Sequence, residues 1–462
     1  MRSWSFLNKR KEGKKMNDIS DFKINDRGWL VGYSGTDKDV TVPDCVVGLD
    51  NWAFSSNDSI ETITVPESVK SVSYKSIVGL DNLKKIVFAE GVEKISNIAV
   101  SLCPKLECVS IPDSILELDK EWVYECPDIK YTYDGAVKYI GNENNPYVIL
   151  VDGDKALTEY DVKPGTKIIL DEAFMDAENL KRASFPEGLK VIAFSAFSGC
   201  ESLAEVSFGE GLSEIGGCAF SGTVIEELKL PGTLRKIGWR AFEAPVKRFS
   251  IPEGIQSVGD NALGYGDREY NEYEGGYYLG CEENPYVLLV GTKDKDIKTF
   301  TIHKDTRIIG AAAFKGQSKL REIILPEGIV NIEKEAFFQC YGLEKVSFPE
   351  SLAAIGDSAF MNCCSLSSLD LPEGRISIGS NAFSDCTALE KITLVNVSVG
   401  DNAFGDCRCV STLTVGEKCN IWGDYVFAGC FRMKKAILPE RMRDRFSSDM
   451  FEECDEVEIE YV

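Results

Sequence analysis

Between residues 320 and 388 the apolar and polar positions repeat with a period of 23. Three segments, LREIILPEGIVNIEKEAFFQCYG, LEKVSFPESLAAIGDSAFMNCCS and LSSLDLPEGRISIGSNAFSDCTA, follow one another in register. In the first, Leu320, Ile323 and Leu325 form an L-x-x-I-x-L strand, and Ile323 and Leu325 share a face at the two-residue strand period. Pro326 has no N–H for a ladder, so it ends the strand, and Glu327-Gly328 turns the chain. Ile329 and Ile332 point inward along a second short extended segment. Ala336-Phe337 is then expected on a short helical turn or 3-10 segment, with Phe337 in the core and Cys340 three residues later.

The Phe position recurs at Phe54, Ile77, Val100 and Val123, then at Phe174, Phe197, Phe220, Phe242 and Leu263. It recurs again at Phe314, Phe337, Phe360, Phe383, Phe404, Phe427 and Phe451. No helix or strand period produces such steps, but a coil of fixed circumference does, so the chain is predicted to be a stack of coils. Two steps of 51 residues interrupt the series, from Val123 to Phe174 and from Leu263 to Phe314. The inserts match one another: YIGNENNPYVILV at 139–151 and YLGCEENPYVLLV at 278–290. The chain start has the same grammar, with Trp29-Leu30-Val31-Gly32 leading to Ala53-Phe54. The expectation is therefore three tandem blocks in one continuous solenoid, at 21–138, 139–277 and 278–462, each opened by a starter module. A basic leader, 1–20, precedes them. Its residues 12–16 back-translate to a purine tract of the ribosome-binding kind, so Met16 is the expected natural start.

The pattern I-x-L-P-E-G-[VIL]-x-x-I-G-x-x-A-F-x-x-C resembles the BspA-like class of leucine-rich repeats over nearly the whole chain after about residue 22. That resemblance implies an α/β, strand-rich, right-handed solenoid: a parallel sheet along one face, and short helical or 3-10 turns along the other. It also implies a secreted or cell-surface protein that binds host or matrix proteins, with no catalytic residues to carry over.

Composition narrows the function. Hydrophobic residues make up 44% of the chain, which is that of a folded protein. With 74 acidic residues against 51 basic, the net charge is −23, and such a body repels phosphate backbones and anionic lipid heads. Nucleic-acid binding is thereby disfavoured. No apolar run approaches the roughly 20 residues of a spanning helix, so membrane insertion is not expected. The absence of a signal-like apolar stretch points to the cytoplasm, whereas the resemblance points to the cell surface.

Nine of the 16 cysteines (Cys103, Cys126, Cys200, Cys340, Cys363, Cys386, Cys407, Cys430 and Cys454) lie three residues after the Phe position. A fixed phase marks a packing ladder, so Cys200, Cys340, Cys363 and Cys386 are expected in the core beside Phe197, Phe337, Phe360 and Phe383. The single histidine, His303, reads as a turn residue, and there is no C-x-x-C pair, so neither zinc nor any cofactor is expected. One stretch breaks the repeat and is rich in tyrosine, GYGDREYNEYEGGYYLGCEENPY at 264–286. Tyr265, Tyr270, Tyr273 and Tyr277 are its candidate protein-binding residues, on a loop off a rigid scaffold. Tyr278 and Tyr286, with Tyr139 and Tyr147, are expected to pack the starter modules. The resulting reading is a non-enzymatic protein-binding scaffold, adhesin-like if outside the cell and an interaction module if inside. An enzyme would need a clustered polar site out of phase with the repeat.

Overall fold

The computed structural model describes residues 17–264, 268–443, 448–454 and 457–462. It falls into two compact units. One is Met1–Asp154 with Lys163–Ala173; the other is Lys155–Val162 with Phe174–Val462. Both are strand-rich solenoids of short parallel ladders, in which each strand pairs with its equivalent one coil further on.

In the first unit a coil has three extended sides. Trp29–Tyr33, Gly48–Leu49, Ser71–Val72, Lys94–Ile95 and Glu117–Leu118 form one parallel ladder, opened by the antiparallel strand Phe22–Ile24. Asp39–Thr41, Thr62–Val65, Lys85–Phe88 and Cys108–Ser110 form the second. Phe54–Ser55, Ile77–Val78, Val100–Ser101 and Val123–Tyr124 form the third. This corrects the expected helical turn at the Phe position. Here β-branched Ile77, Val100 and Val123 replace Phe at three of the four positions, their restricted rotamers favour extended pairing, and Phe54 pairs with Ile77 in the same ladder. At the last of these coils the pairing register holds, with Val123 opposite Val100, but the burial differs. Trp122 is 2% exposed and fills the core, while Val123 is only half-buried.

In the second unit the Phe side of each coil is a pair of tight turns rather than a helix. Helical content among the described residues is confined to three short 3-10 segments, Ile19–Asp21, Glu440–Met442 and Ser448–Phe451. The cause lies in the backbone. Phe337 is flanked by left-handed Glu335 (φ 57°) and Gln339 (φ 60°), and Phe360 by Ser358 (φ 54°) and Asn362 (φ 64°). A left-handed residue two positions either side of Phe interrupts any right-handed helical run. It also aims the Phe337 N–H at the Ala359 carbonyl of the next coil, 2.7 Å away, and Phe360 does the same to Ala382.

The rings then stack at coil spacing. Phe337 and Phe360 lie 4.8 Å apart at 6°, and Phe360 and Phe383 lie 5.2 Å apart at 2°. Phe197 lies between Phe174 and Phe220, at 5.1 and 5.3 Å. Each buried ring contributes on the order of 1.5–3 kcal/mol by the area it removes from water. The cysteine beside each ring does more than fill space. The thiols of Cys200, Cys340, Cys363 and Cys386 donate to the carbonyls of Phe174, Phe314, Phe337 and Phe360, at 3.1–3.3 Å. In the Phe314 coil Gln317 stands at the cysteine position and donates to the Asp294 carbonyl at 2.7 Å, whereas Ala177 and Pro245 in the Phe174 and Phe242 coils offer no side-chain donor. Burial pushes the Cys340 thiol up to about 12, so these sulfurs are inert packing groups.

Four residues before each Phe stands glycine in most coils of this unit, as at Gly238, Gly259, Gly356, Gly379 and Gly400. A Cβ at Gly356 would lie 2.6 Å from the Lys334 nitrogen of the previous coil, so close stacking leaves no room for a side chain. Glu333 occupies this position in the Phe337 coil and is the exception that shapes the site.

Candidate functional site

Two inserts carry the same hairpin. In the first unit Thr132–Asp134 pairs antiparallel with Val137–Ile140, which pairs antiparallel with Ile149–Asp152, which joins the parallel strand Ile168–Ile169. In the second unit the order is Asn271–Tyr273, Gly276–Leu279, Leu288–Thr292 and Ile308–Ile309. The segment expected as a loop at 264–286 is thus largely hairpin, closed by Glu274 (φ 48°) and Gly275 (φ 81°), the two positive dihedrals of a type I′ turn.

The shared letters N-P-Y have a structural cause. Asn284 accepts the Tyr286 N–H at 3.0 Å and donates to the Asp305 carbonyl at 3.0 Å, tying the hairpin to the following coil. Asn145 does the same with Tyr147 and Gly165. The glycines before these turns, Gly141 and Gly280, leave space that the Asn145 and Asn284 carbonyls occupy. Tyr139 and Tyr278 are fully buried, each edge-on to its partner, Tyr147 at 5.2 Å and Tyr286 at 5.5 Å.

The candidate tyrosines separate. Tyr270 and Tyr277 come together, rings 5.3 Å apart and both half-buried. Tyr273 turns inward instead and packs edge-on to His303 at 4.7 Å and to Tyr286 at 5.9 Å. Tyr265 lies outside the described residues. His303 opens a turn, accepting the Thr306 N–H at its carbonyl, and its ring stacks on Tyr286 at 3.9 Å.

A second site lies where one sheet of the second unit gives way to the next. In the second unit the parallel sheet Val191–Ile192, Glu214–Ile215, Lys236–Ile237, Ser257–Val258 ends at Ser257–Val258 among the described residues. A new sheet runs from the hairpin through Asn331–Ile332 and Ala354–Ile355. The joint is made by side chains. Glu333 Oε1 accepts the Val258 N–H at 2.7 Å and the Asn331 amide at 2.9 Å, and Asn331 also donates to the Gln256 carbonyl at 3.2 Å. Two side chains thus meet backbone groups that a neighbouring strand would otherwise have met. Arg307–Glu253 at 3.5 Å and Lys334–Asp260 at 4.0 Å add ion pairs across the same joint. Burial, with 7% of Glu333 exposed, pushes its carboxyl from the ordinary 4.5 up to about 7, against the Val258 and Ser257 hydrogen bonds that lower it.

The joint leaves a cleft of about 510 Å³ between the two runs of coils. Trp239 and Asp260 stand on one side and Lys334 and Asp357 on the other, all at the position three residues before the Phe phase. One signal in the sequence marks the joint: Glu333 stands in the glycine column. Nothing in the sequence shows that its partner is Val258, 75 residues earlier. Among the described residues no group of three or more His, Cys, Asp or Glu side chains is placed to hold a metal, and no helix is long and apolar enough to cross a membrane.

The profile of the BspA type leucine-rich repeat region matches residues 33–143, 167–268, 292–397 and 354–461. Among solved structures, the chain is similar to the pneumococcal vaccine antigen PcpA, at 17% identity over 94% of this chain and 91% of that one, with a TM-score of 0.32. It is similar to a leucine-rich cell surface protein of Faecalibacterium prausnitzii, at 19% identity over 98% and 96%, TM-score 0.25. It is also similar to the Treponema pallidum leucine-rich repeat protein, at 22% identity over 36% and 81%, TM-score 0.34. No functionally curated protein matches the sequence significantly.

Proposed function

Since the chain belongs to the BspA-type leucine-rich repeat family, we propose that it is a non-enzymatic scaffold that binds a protein partner, with the Tyr270–Tyr277 hairpin as the principal contact. One observation carries the reading. The outer face of this hairpin holds two half-buried tyrosines side by side, Tyr277 on a strand and Tyr270 immediately before its partner strand, and the hairpin is paired to the stack of coils. Paired tyrosines offer large contact area at low entropy cost with polar tips, which suits them to protein recognition. On another side of the coils the exposed sheet face offers further contact area, with Ile324 on Glu322–Ile324 left 65% exposed. The repeated architecture supports a surface-type contact, because successive coils fill their own interior.

The test is affinity capture with the full chain and with a Tyr270→Ser/Tyr277→Ser double variant of equal melting temperature, from cell extract and from culture medium. At least one protein is expected to fall roughly tenfold in recovery with the variant. Identical recoveries throughout would reject the hairpin as the contact. Protease shaving of intact producing cells separates the adhesin-like role from the interior one. Release of peptides from residues 268–286 with cytosolic markers retained places the partner outside, and recovery only after lysis places it inside.

A further inference from the structure

The cleft at the joint has a composition that protein docking at the hairpin does not use. Trp239 is 48% exposed, which is unusual for the largest apolar side chain, and it takes no part in the Phe ladder. Its position is nevertheless built. Gly217, one coil earlier at the same phase, lies beneath the indole, and a Cβ there would come within 2.7 Å of the indole nitrogen. Phe194, one coil earlier still, rests against the ring at 6.0 Å and 37°. The ring is therefore supported by the scaffold and lines the cleft.

Around it stand polar groups of both kinds. Asp260 and Asp357 accept, Lys334 donates, and Ser377 does both. The Asp357 carboxylate is oriented by the Ser380 N–H at 2.8 Å, and Lys334 is held toward Asp260 at 4.0 Å. Gly259, Gly356 and Gly379 line the same cleft and put no side chain into it. The volume, about 510 Å³, falls within the ~300–1,000 Å³ of small-molecule sites, and the position between two packed segments is a usual one for them.

We propose that this cleft binds a neutral saccharide, with one pyranose ring stacked on Trp239 and its hydroxyls bonded to Asp260, Lys334, Asp357 and Ser377. A pyranose has an apolar C–H face to lay on an indole and a rim of hydroxyls that each donate and accept. That rim matches a wall mixing carboxylates with an ammonium and a hydroxyl. An anionic ligand would meet two carboxylates, and an apolar one would strip water from charged groups without replacing it. A cationic peptide is the competing occupant. Lys334 lies 4.0 Å from Asp260 and offsets one of the two aspartates, while the third carboxyl of the lining, Glu333, is buried and taken up by the Val258 N–H and Asn331, so the wall offers such a peptide little net attraction.

The test uses the purified full chain in calorimetric titrations with maltohexaose, cellohexaose, laminarihexaose, mannohexaose and N-acetylchitohexaose, and with a deca-lysine peptide. At least one neutral hexasaccharide is expected to bind saturably. Trp239→Ala should weaken that binding by roughly tenfold or more, about 1.4 kcal/mol. Gly217→Ala, which displaces the indole without touching the cleft's polar groups, should weaken it similarly. Trp422→Ala, a comparably exposed indole on another coil, and the Tyr270→Ser/Tyr277→Ser variant should leave it unchanged. Three results would each overturn the proposal: no saturable heat with any of the five sugars at ~10 mM, sugar binding that survives Trp239→Ala, or binding of deca-lysine alone.

Discussion

The hairpin beginning at Tyr131 and the one beginning at Tyr270 have the same strand order, the same Asn-Pro-Tyr tie and the same buried tyrosine, yet different chemistry at matched places. Under the first, Asp134 pairs with Lys163 at 2.9 Å; under the second, Tyr273 meets His303 edge-on at 4.7 Å. On the outer face Lys138 lies over the Tyr131 ring at 3.8 Å, where the other hairpin sets Tyr277 against Tyr270. In both, the buried tyrosine hydroxyl accepts a backbone N–H from the next coil, that of Lys163 at 3.5 Å or His303 at 3.3 Å. The frame is thus carried by the inner tyrosine, the asparagine and the glycine. The outer positions are free to change partners, which is how one scaffold can present different surfaces.

The strongest way to break this comparison is to remove the inner tyrosine from each frame. Tyr139→Ala and Tyr278→Ala should each cost about 3–5 kcal/mol, measured by urea denaturation. A cost under about 1 kcal/mol in either would mean that the two frames are not equivalent.

A smaller effect distinguishes the coils that follow the hairpins. After the second hairpin comes Glu333; the matching position after the first is Ala193. Glu333 has its folded value raised to about 7 from 4.5, so the folded chain holds a proton that the unfolded chain has lost between those pH values. Stability from this group is therefore fully present below about pH 4.5 and is lost as pH rises toward 7. Glu333→Gln should flatten that slope and stabilise the protein by roughly 2–3 kcal/mol at pH 8, with little change at pH 4. A wild-type stability profile that is level across this range would remove the buried-carboxyl account of the joint.

The smallest effect separates ion pair from aromatic contact. Asp134→Asn should cost about 0.3–1 kcal/mol at low salt and almost nothing in 1 M NaCl. His303→Ala should cost about 1 kcal/mol in either condition, because ring packing is not screened. Equal salt dependence in the two variants would show that the substitution is not an exchange of interaction type.

Much of this was visible in the chain itself. Phe337, Phe360 and Cys363 announce a core because a coil of fixed circumference returns to the same interior point at each turn. The local backbone was not visible. Glu335, Gln339 and Ser358 have no preference for a left-handed conformation, and it accompanies tertiary bonds, since their own N–H groups, like those of the Phe residues, meet carbonyls of the next coil. Tyr273 was equally opaque, since Tyr270, Tyr273 and Tyr277 read alike until strand pairing sends one inward and two outward. Trp239 is a single letter at a phase that holds mostly polar or small residues, with Tyr74 and Phe194 as other aromatics, and its meaning depends on Gly217 beneath it and Lys334 opposite.

The period, the stacked rings, the thiol column and the family all follow from the sequence by itself, because each rests on contacts between equivalent positions of adjacent coils, and repetition makes those contacts predictable. Where a sheet stops, how Glu333 bridges to Val258, and which side chains face each other across the resulting cleft were decided only by the tertiary structure. The bonds of Glu333 to Val258 and of Asn331 to Gln256 join residues 75 positions apart at different phases, and Asp260 and Lys334 share a phase but not consecutive coils, so the repeat does not encode these contacts; they exist only once the coils are packed.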